Sequence, residues 1–114
     1  MRSDPLDALE DMARYIRLAQ EFVANLDFDT FAQDMRTLLA VIRCLEVISE
    51  ASRRLPEELK ARHVSIPWKD IAGAGNIYRH DYENVAARIV WNTVHFALPP
   101  LLAVMTEEAG RLSA

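Results

Sequence analysis

The sequence predicts an all-α protein, a four- to five-helix bundle with up-and-down topology. Between Pro5 and Pro56 the chain has no glycine and no internal proline, the residues that most often interrupt helices. Apolar residues recur at steps of three and four, which is the period of a helix with one buried face. No segment shows the strict alternation that is typical of a half-buried strand.

Length and composition indicate one ordinary globular domain over residues 1–114. The chain is 51% hydrophobic and 26% charged, which is enough for one core without metals or disulfides. Its net charge of -4 argues against a dedicated nucleic-acid binder, because such proteins usually carry a basic excess. Any RNA contact must then come from a local basic patch or from a partner. We see no signal peptide and no apolar segment of about 18 residues, so we expect a cytoplasmic protein outside the membrane.

The first helix is predicted to begin at Pro5 and to end near Asn25. Asp4 offers a side-chain acceptor at the N-cap, and Pro5 lacks only an N–H that the first turn would leave unpaired. Its buried stripe is predicted to contain Leu6, Leu9, Met12, Ala13, Ile16, Ala19 and Val23.

The second helix is predicted from about Phe31 to Leu55, with Thr30 and Gln33 as its capping box. Its apolar residues cover more than one stripe, which predicts a central helix or one that a second subunit covers. We therefore expect a homodimer. Within it, Glu46 and Glu50 share a face and repel each other unless each finds a cation. They form either a solvated edge or a support for the Gly73–Tyr82 stretch.

The remaining elements are shorter or interrupted. Pro56 should close the second helix, a helical turn should follow, and His63 is expected to be an ordinary loop residue. A third, short helix should start near Trp68. The last helix is predicted to begin at an Asn84 N-cap, to bury Phe96, and to bend or break at Pro99-Pro100.

The Gly73–Tyr82 stretch is the strongest candidate for chemistry. Two glycines in a short helix cost about 1 kcal/mol each relative to alanine, which suggests a bend or a close backbone approach. His80 has groups nearby that could tune it, with Asn76 one helical turn back, and histidine suits proton transfer near neutral pH. Arg79 could bind phosphate. Alternatively, His80 and Arg79 only satisfy a helix C-terminus.

Other chemistries find little support. The three histidines are far apart in sequence, and no group of ligands has the spacing of a zinc site. Gly73-Ala74-Gly75 follows no strand, so it does not resemble a nucleotide-binding loop. Cys44 lies among apolar residues, where a buried, reduced thiol is expected. We expect neither a metal nor another cofactor.

Several segments together resemble the HepT-like family of small, all-helical HEPN-domain proteins of prokaryotes. The resemblance spans nearly the whole chain, including the Glu46–Glu50 segment. It is carried by Ile66–Gly73, Asn76, His80, Tyr82, Val85, Ile89-Val90-Trp91 and Leu98-Pro99-Pro100-Leu101.

The resemblance implies a HEPN-like fold and a dimeric toxin with ribonuclease activity, paired with a nucleotidyltransferase antitoxin. In that family the antitoxin attaches AMP to a tyrosine two residues after the motif histidine, which corresponds to Tyr82. The ribonuclease motif consists of an arginine, a polar residue, a few variable positions and a histidine. Asn76 and His80 match it, but Gly75 occupies the arginine position. Arg79 is the nearest substitute, and Arg43 is a weaker one.

Two hypotheses follow. In the first, the chain is a metal-independent endoribonuclease toxin in which His80 is the acid or base and Arg79 binds the phosphate. In the second, loss of the motif arginine leaves a catalytically weak or inactive helical dimer. That dimer would be the partner of a nucleotidyltransferase antitoxin and its AMPylation substrate at Tyr82.

Overall fold

The computed structural model describes residues 4–75 and 83–113, and within these ranges the fold is all-α with no strand. This confirms the predicted fold class. The helices are α1 (Pro5–Val23), α2 (Phe28–Gln33), α3 (Met35–Ser52), α4 (Glu57–Ala61), α5 (Trp68–Gly73), α6 (Glu83–Asn92) and α7 (Leu98–Ser113), with a π-helical turn at Thr93–Ala97 joining the last two.

The long helices α1, α3 and the continuous α6–α7 enclose one core. Its largest fully buried side chains include Phe31, Leu9, Met12, Ile16, Leu45, Leu98, Leu101 and Met105. Cys44 is buried as expected, and burial raises the pKa of its thiol. The thiol therefore stays protonated, which excludes it as a nucleophile.

α1 confirms the predicted start signal. The Asp4 carboxylate accepts the Leu6 N–H at 2.9 Å, and Pro5 is the first helical residue. The helix ends at Val23, two residues before the predicted end. Such an offset is within the usual uncertainty of a helix boundary.

The predicted second helix is two helices, because Asp34 leaves the helical conformation with φ -103° and ψ 87°. Its carboxylate accepts the Thr37 N–H at 3.0 Å and the Thr37 hydroxyl at 2.7 Å, so Asp34 caps α3. Both hydrogen bonds lower the pKa of the Asp34 carboxyl, and the bond from the Thr37 hydroxyl has the larger effect. The predicted Thr30–Gln33 capping box is wrong, since Asp27 caps α2 by accepting the Thr30 N–H at 2.8 Å.

The last helix also differs from the prediction. It begins at Glu83, so Asn84 lies inside its first turn and not at the N-cap. Pro99-Pro100 does not break it. The backbone widens into a π turn just before the prolines, where the Leu98 N–H donates to the Thr93 carbonyl. Phe96, predicted to be buried, is 74% exposed. It comes two residues after the buried Val94, which places it about 200° around the helix and therefore on the side away from the core.

The helix from Ala86 to Ser113 is long and apolar enough to cross a membrane, with a mean hydropathy of 1.4 in its most apolar window. The sequence was expected to contain no such segment. Helices in the core of globular proteins pass the same test, and Val90, Val94 and Leu101 of this helix are core residues. Length and composition are therefore weak grounds for a membrane span.

Candidate functional site

α5 and the residues after it are fastened to α3 through one buried hydroxyl. Ser49 is 2% exposed, and its Oγ donates to the Ile71 carbonyl at 2.9 Å. The same Oγ accepts the Gly75 N–H at 2.8 Å. On the neighbouring turn of α3, Arg53 donates to the Ala72 carbonyl at 2.6 Å. The C-terminal end of α5 and Gly75 are thus held by three hydrogen bonds to Ser49 and Arg53, directly before the predicted motif.

Gly75 is the closest point of approach between this segment and α3. A Cβ added at Gly75 would lie 3.2 Å from the Cα of Glu46 and 3.4 Å from the Ser49 Oγ. Real Cβ contacts are almost always longer, and the backbone of a packed helix has little room to yield. At Gly73, by contrast, an added Cβ meets nothing within 4 Å. The expected close backbone approach is confirmed, and it is specific to Gly75.

The predicted catalytic residues Asn76, Arg79 and His80, and the predicted modification site Tyr82, lie outside the described residues. The structure does describe both flanks of their segment. Gly75 is hydrogen-bonded to α3, and Glu83 begins α6, which packs against α2 and α3.

Glu46, Glu50 and Arg43, the predicted supporting residues, lie together on α3. Arg43 pairs with Glu46 at 3.4 Å, and Arg54 pairs with Glu50 at 3.4 Å. Each carboxylate has therefore found a cation, the condition under which two glutamates four residues apart share a face. These pairs are exposed, so they contribute little to stability.

The same residues line an open groove of about 330 Å³ between α1 and α3. Its walls are formed by Asp11, Arg14, Tyr15, Arg43, Glu46, Val47 and Glu50. Because three carboxylates face two guanidinium groups, the groove is not itself a phosphate site. The groove matters because Glu46 connects it to the Gly75 contact. The main chain of Glu46 approaches Gly75, and the Glu46 carboxylate pairs with Arg43.

Sequence reasoning missed Ser49. The sequence does indicate a role for Ser49, because a serine on the buried side of an otherwise apolar helix needs a hydrogen-bond partner. The partners themselves lie 22 and 26 residues further along the chain, and a sequence does not show which backbone groups will reach a given hydroxyl.

Sequence reasoning also missed a buried ion-pair cluster around Glu108. Glu108 on α7 is 1% exposed, and Arg62 donates to both of its oxygens at 2.7 and 3.3 Å. The ring of His63 contacts the same carboxylate at 2.5 Å. The Arg62 hydrogen bonds are the main cause that lowers the pKa of Glu108 to about 2. His63 is thus a packing residue, and not only a loop residue as predicted.

His63, Glu107 and Glu108 each offer a ligand atom within 4.8 Å of the others, which is the spacing of a metal site. The Arg62 guanidinium, however, already occupies the Glu108 carboxylate. A divalent cation would compete with that guanidinium for the same oxygens. The arrangement therefore fits a structural ion pair better than a metal centre.

A family model described as ribonuclease HepT-like matches residues 12–108, which include α3, the Gly75 contact and α6. The chain belongs to the ribonuclease HepT-like family. Among its relatives, a protein of Thermococcus cleftensis named "Probable ribonuclease HepT" is 40% identical over 101 residues, covering 89% of this chain and 92% of the relative. A protein of Caldanaerobacter subterraneus subsp. tengcongensis named "Putative RNase" is 35% identical, covering 85% of this chain and 87% of that protein. No solved structure matches the chain significantly.

Gly75 occupies the position at which the sequence resemblance implies the motif arginine. A side chain here would have to pass Glu46 and Ser49, so a glycine permits the close contact between this residue and α3.

Proposed function

We propose that this HepT-like protein is a metal-independent endoribonuclease that acts as the toxin of a toxin–antitoxin pair in the cytoplasm. The observation that carries the proposal is the fastening of Gly75 to Ser49, because it fixes one end of the segment with His80. The names of its relatives, which are called ribonucleases, support the same reaction class.

In the proposed reaction the ribose 2′-OH attacks the adjacent phosphorus. The bond from phosphorus to the 5′-oxygen breaks, leaving a 2′,3′-cyclic phosphate and a free 5′-OH. His80 takes the 2′-OH proton or supplies one to the leaving oxygen. Arg79 donates to the non-bridging oxygens, whose negative charge grows in the transition state. Asn76 is the polar residue of the motif.

This reaction makes a prediction about the substrate. The nucleophile belongs to ribose, so wild-type protein in excess chelator should cleave a single-stranded RNA and leave DNA of the same sequence intact. Gel electrophoresis of both oligonucleotides after the same incubation measures this. Equal cutting of DNA, or loss of RNA cleavage on adding chelator, contradicts the proposal.

A second candidate function is favoured by Gly75 itself, because this chain lacks the motif arginine. Here the protein is a helical dimer that a nucleotidyltransferase antitoxin binds and modifies with AMP at Tyr82. Mass spectrometry after co-expression with such an enzyme tests this. A bound but unmodified Tyr82 counts against it.

We also propose a homodimer formed through the outward face of α3. Met35 and Leu39 are four residues apart and are 42% and 56% exposed. They lie on one stripe with Glu46, which is seven residues after Leu39 and contacts Gly75. Exposed apolar side chains in such a row are typical of an interface. A partner copy on this stripe would stand next to the segment that carries His80.

Light scattering of Leu39→Glu tests the dimer. A charge in an apolar interface leaves an unpaired, desolvated group, so we expect a dimeric wild type and a monomeric variant at micromolar concentration. Val64→Glu is the matched control, since Val64 is 86% exposed in a loop, and this variant should stay dimeric. A monomeric wild type, or a Leu39→Glu dimer, would rule out this interface.

A further inference from the structure

Aromatic and cationic side chains in mutual contact form a row on the surface where α2 meets α6. The Arg88 guanidinium carbon lies 3.5 Å from the centre of the Phe28 ring. The Phe28 ring meets Trp91 edge-on, with centres 5.9 Å apart and planes at 75°. Trp91 in turn lies 4.1 Å from the imidazole of His95. We call Phe28, Arg88, Trp91 and His95 the Arg88 surface.

Arg88 and His95 are exposed, while Phe28 and Trp91 are half-buried and pack against the core, Trp91 with its ring centre 5.3 Å from that of Phe31. Within the described ranges Arg88 forms no ion pair, although Arg43, Arg54, Arg62 and Arg111 all do. Its contact is with the face of a ring, and this leaves the N–H groups at the edge of the guanidinium available to a ligand. Other arginines, Arg17 among them, also form no ion pair within these ranges, so Arg88 is distinguished by its place against Phe28 and beside Trp91.

Arg88 and Trp91 of the Arg88 surface lie on α6, the helix that follows the proposed cleavage segment in the sequence. α6 begins at Glu83, the residue after Tyr82. At 1.5 Å per residue, Arg88 lies about 7.5 Å and His95 about 18 Å along the helix axis from Glu83. A nucleic-acid strand that occupies the cleavage segment and follows α6 would cross this surface within a few nucleotides.

We propose that the Arg88 surface binds single-stranded RNA beside the cleavage site. A phosphate accepts hydrogen bonds from the Arg88 guanidinium, and an unpaired base stacks against Trp91 and His95. Aromatic rings next to a planar guanidinium are the side chains that bind unpaired bases without reading their sequence. The inference rests on the proposed ribonuclease function and specifies where its substrate is held.

Nearby carboxylates limit this binding without preventing it. Asp27 and Asp29 flank Phe28 in sequence, and the Asp27 carboxylate is engaged by the Thr30 N–H. Their charges repel a phosphate backbone, so stacking should carry a large share of the affinity. The predicted ligand is therefore a single strand with accessible bases, since the paired bases of a duplex cannot stack on side chains.

Fluorescence anisotropy with a labelled 2′-O-methyl RNA tests the proposal, because that strand lacks the nucleophile and cannot be cleaved. Full-length wild type, Arg88→Ala and His95→Ala are compared. Arg17→Ala is the matched control: Arg17 is exposed on α1, beside Met105 and Thr106 of α7, and its loss removes the same charge. We expect Kd to rise at least about fivefold in Arg88→Ala and His95→Ala, and less than about twofold in Arg17→Ala.

Three results would overturn the inference: no detectable binding by wild type, an unchanged Kd in Arg88→Ala, or an equal loss in Arg17→Ala. Light scattering of Arg88→Ala could give a fourth such result. If the variant is monomeric but binds RNA as tightly as wild type, the Arg88 surface contacts a second copy of the chain and not RNA. Cleavage of ordinary RNA, measured in parallel, separates the two claims. Arg88-dependent binding without cleavage defeats the ribonuclease alone, whereas cleavage with Arg88-independent binding defeats this inference alone.

Discussion

Replacing His80 by alanine is expected to lower the rate of RNA cleavage by about 10²- to 10⁴-fold, the usual contribution of a positioned acid or base. His80 is the only histidine in the Gly73–Tyr82 stretch, so no second imidazole in that segment can replace it. The measurement is single-turnover cleavage of a single-stranded RNA in chelator, with protein in excess over RNA.

The His80→Ala variant must also be shown to fold. Its circular dichroism spectrum and melting temperature should match those of wild type, because the fold is held by the core and by the Ser49 and Glu108 contacts. A folded variant that retains the wild-type rate within about threefold would remove His80 from the reaction, since even a weak acid–base role contributes more.

The largest effect on stability is expected from Glu108→Ala. The substitution leaves the exposed Arg62 and the half-buried His63 without their carboxylate and opens a cavity in place of a fully buried side chain. Because the Arg62 side chain is 42% exposed, water can solvate its charge after the substitution, so the loss should be smaller than for a fully buried pair. We expect the free energy of unfolding to fall by about 1.5–3 kcal/mol, the range for lost hydrogen bonds to a charged group. Urea denaturation measures this change.

The adjacent residue supplies a matched control. Glu107 is exposed, and its only ion pair within the described residues is with Arg111 at 3.9 Å. Glu107→Ala should therefore change the free energy of unfolding by less than about 0.5 kcal/mol. Similar losses in the two variants would contradict a special role for the buried carboxylate.

The same cluster predicts a pH dependence. The folded-state pKa of Glu108 is about 2, below its ordinary value of 4.5, so the unfolded chain binds this proton more readily. The stabilisation is complete above pH 4.5 and is lost as the pH falls from 4.5 towards 2. In Glu108→Gln this acid-dependent component should disappear. If the free energy of unfolding of Glu108→Gln falls with decreasing pH as steeply as that of wild type, other carboxylates cause the acid dependence.

Local signals in the sequence were sufficient for much of the fold. The Asp4-Pro5 pair and the absence of glycine before Pro56 correctly predict α1 and the all-α class. Asp34 is harder, because an aspartate on the polar face of an amphipathic helix looks the same whether it is solvated or caps a new helix. Its threonine partner three residues later was the missed signal.

Contacts between segments that are far apart in the sequence were harder to predict. The pair Gly73 and Gly75 predicts a close approach, but only packing shows that Gly75 touches α3 while Gly73 touches nothing. Glu108 and Arg62 are separated by 46 residues, and no local pattern connects them. Phe96 was misplaced because it was counted with the buried face for its apolar character, although two residues after Val94 the helical period already points it away from the core.

The chemical ends of the RNA fragments test the central claim most directly, namely that the segment held by Ser49 and Gly75 cleaves RNA by internal attack. Mass spectrometry of fragments made by wild-type protein in chelator should find a 2′,3′-cyclic phosphate on one side of each cut and a 5′-OH on the other. Fragments with 5′-phosphate and 3′-OH ends, or no fragments at all, would contradict it.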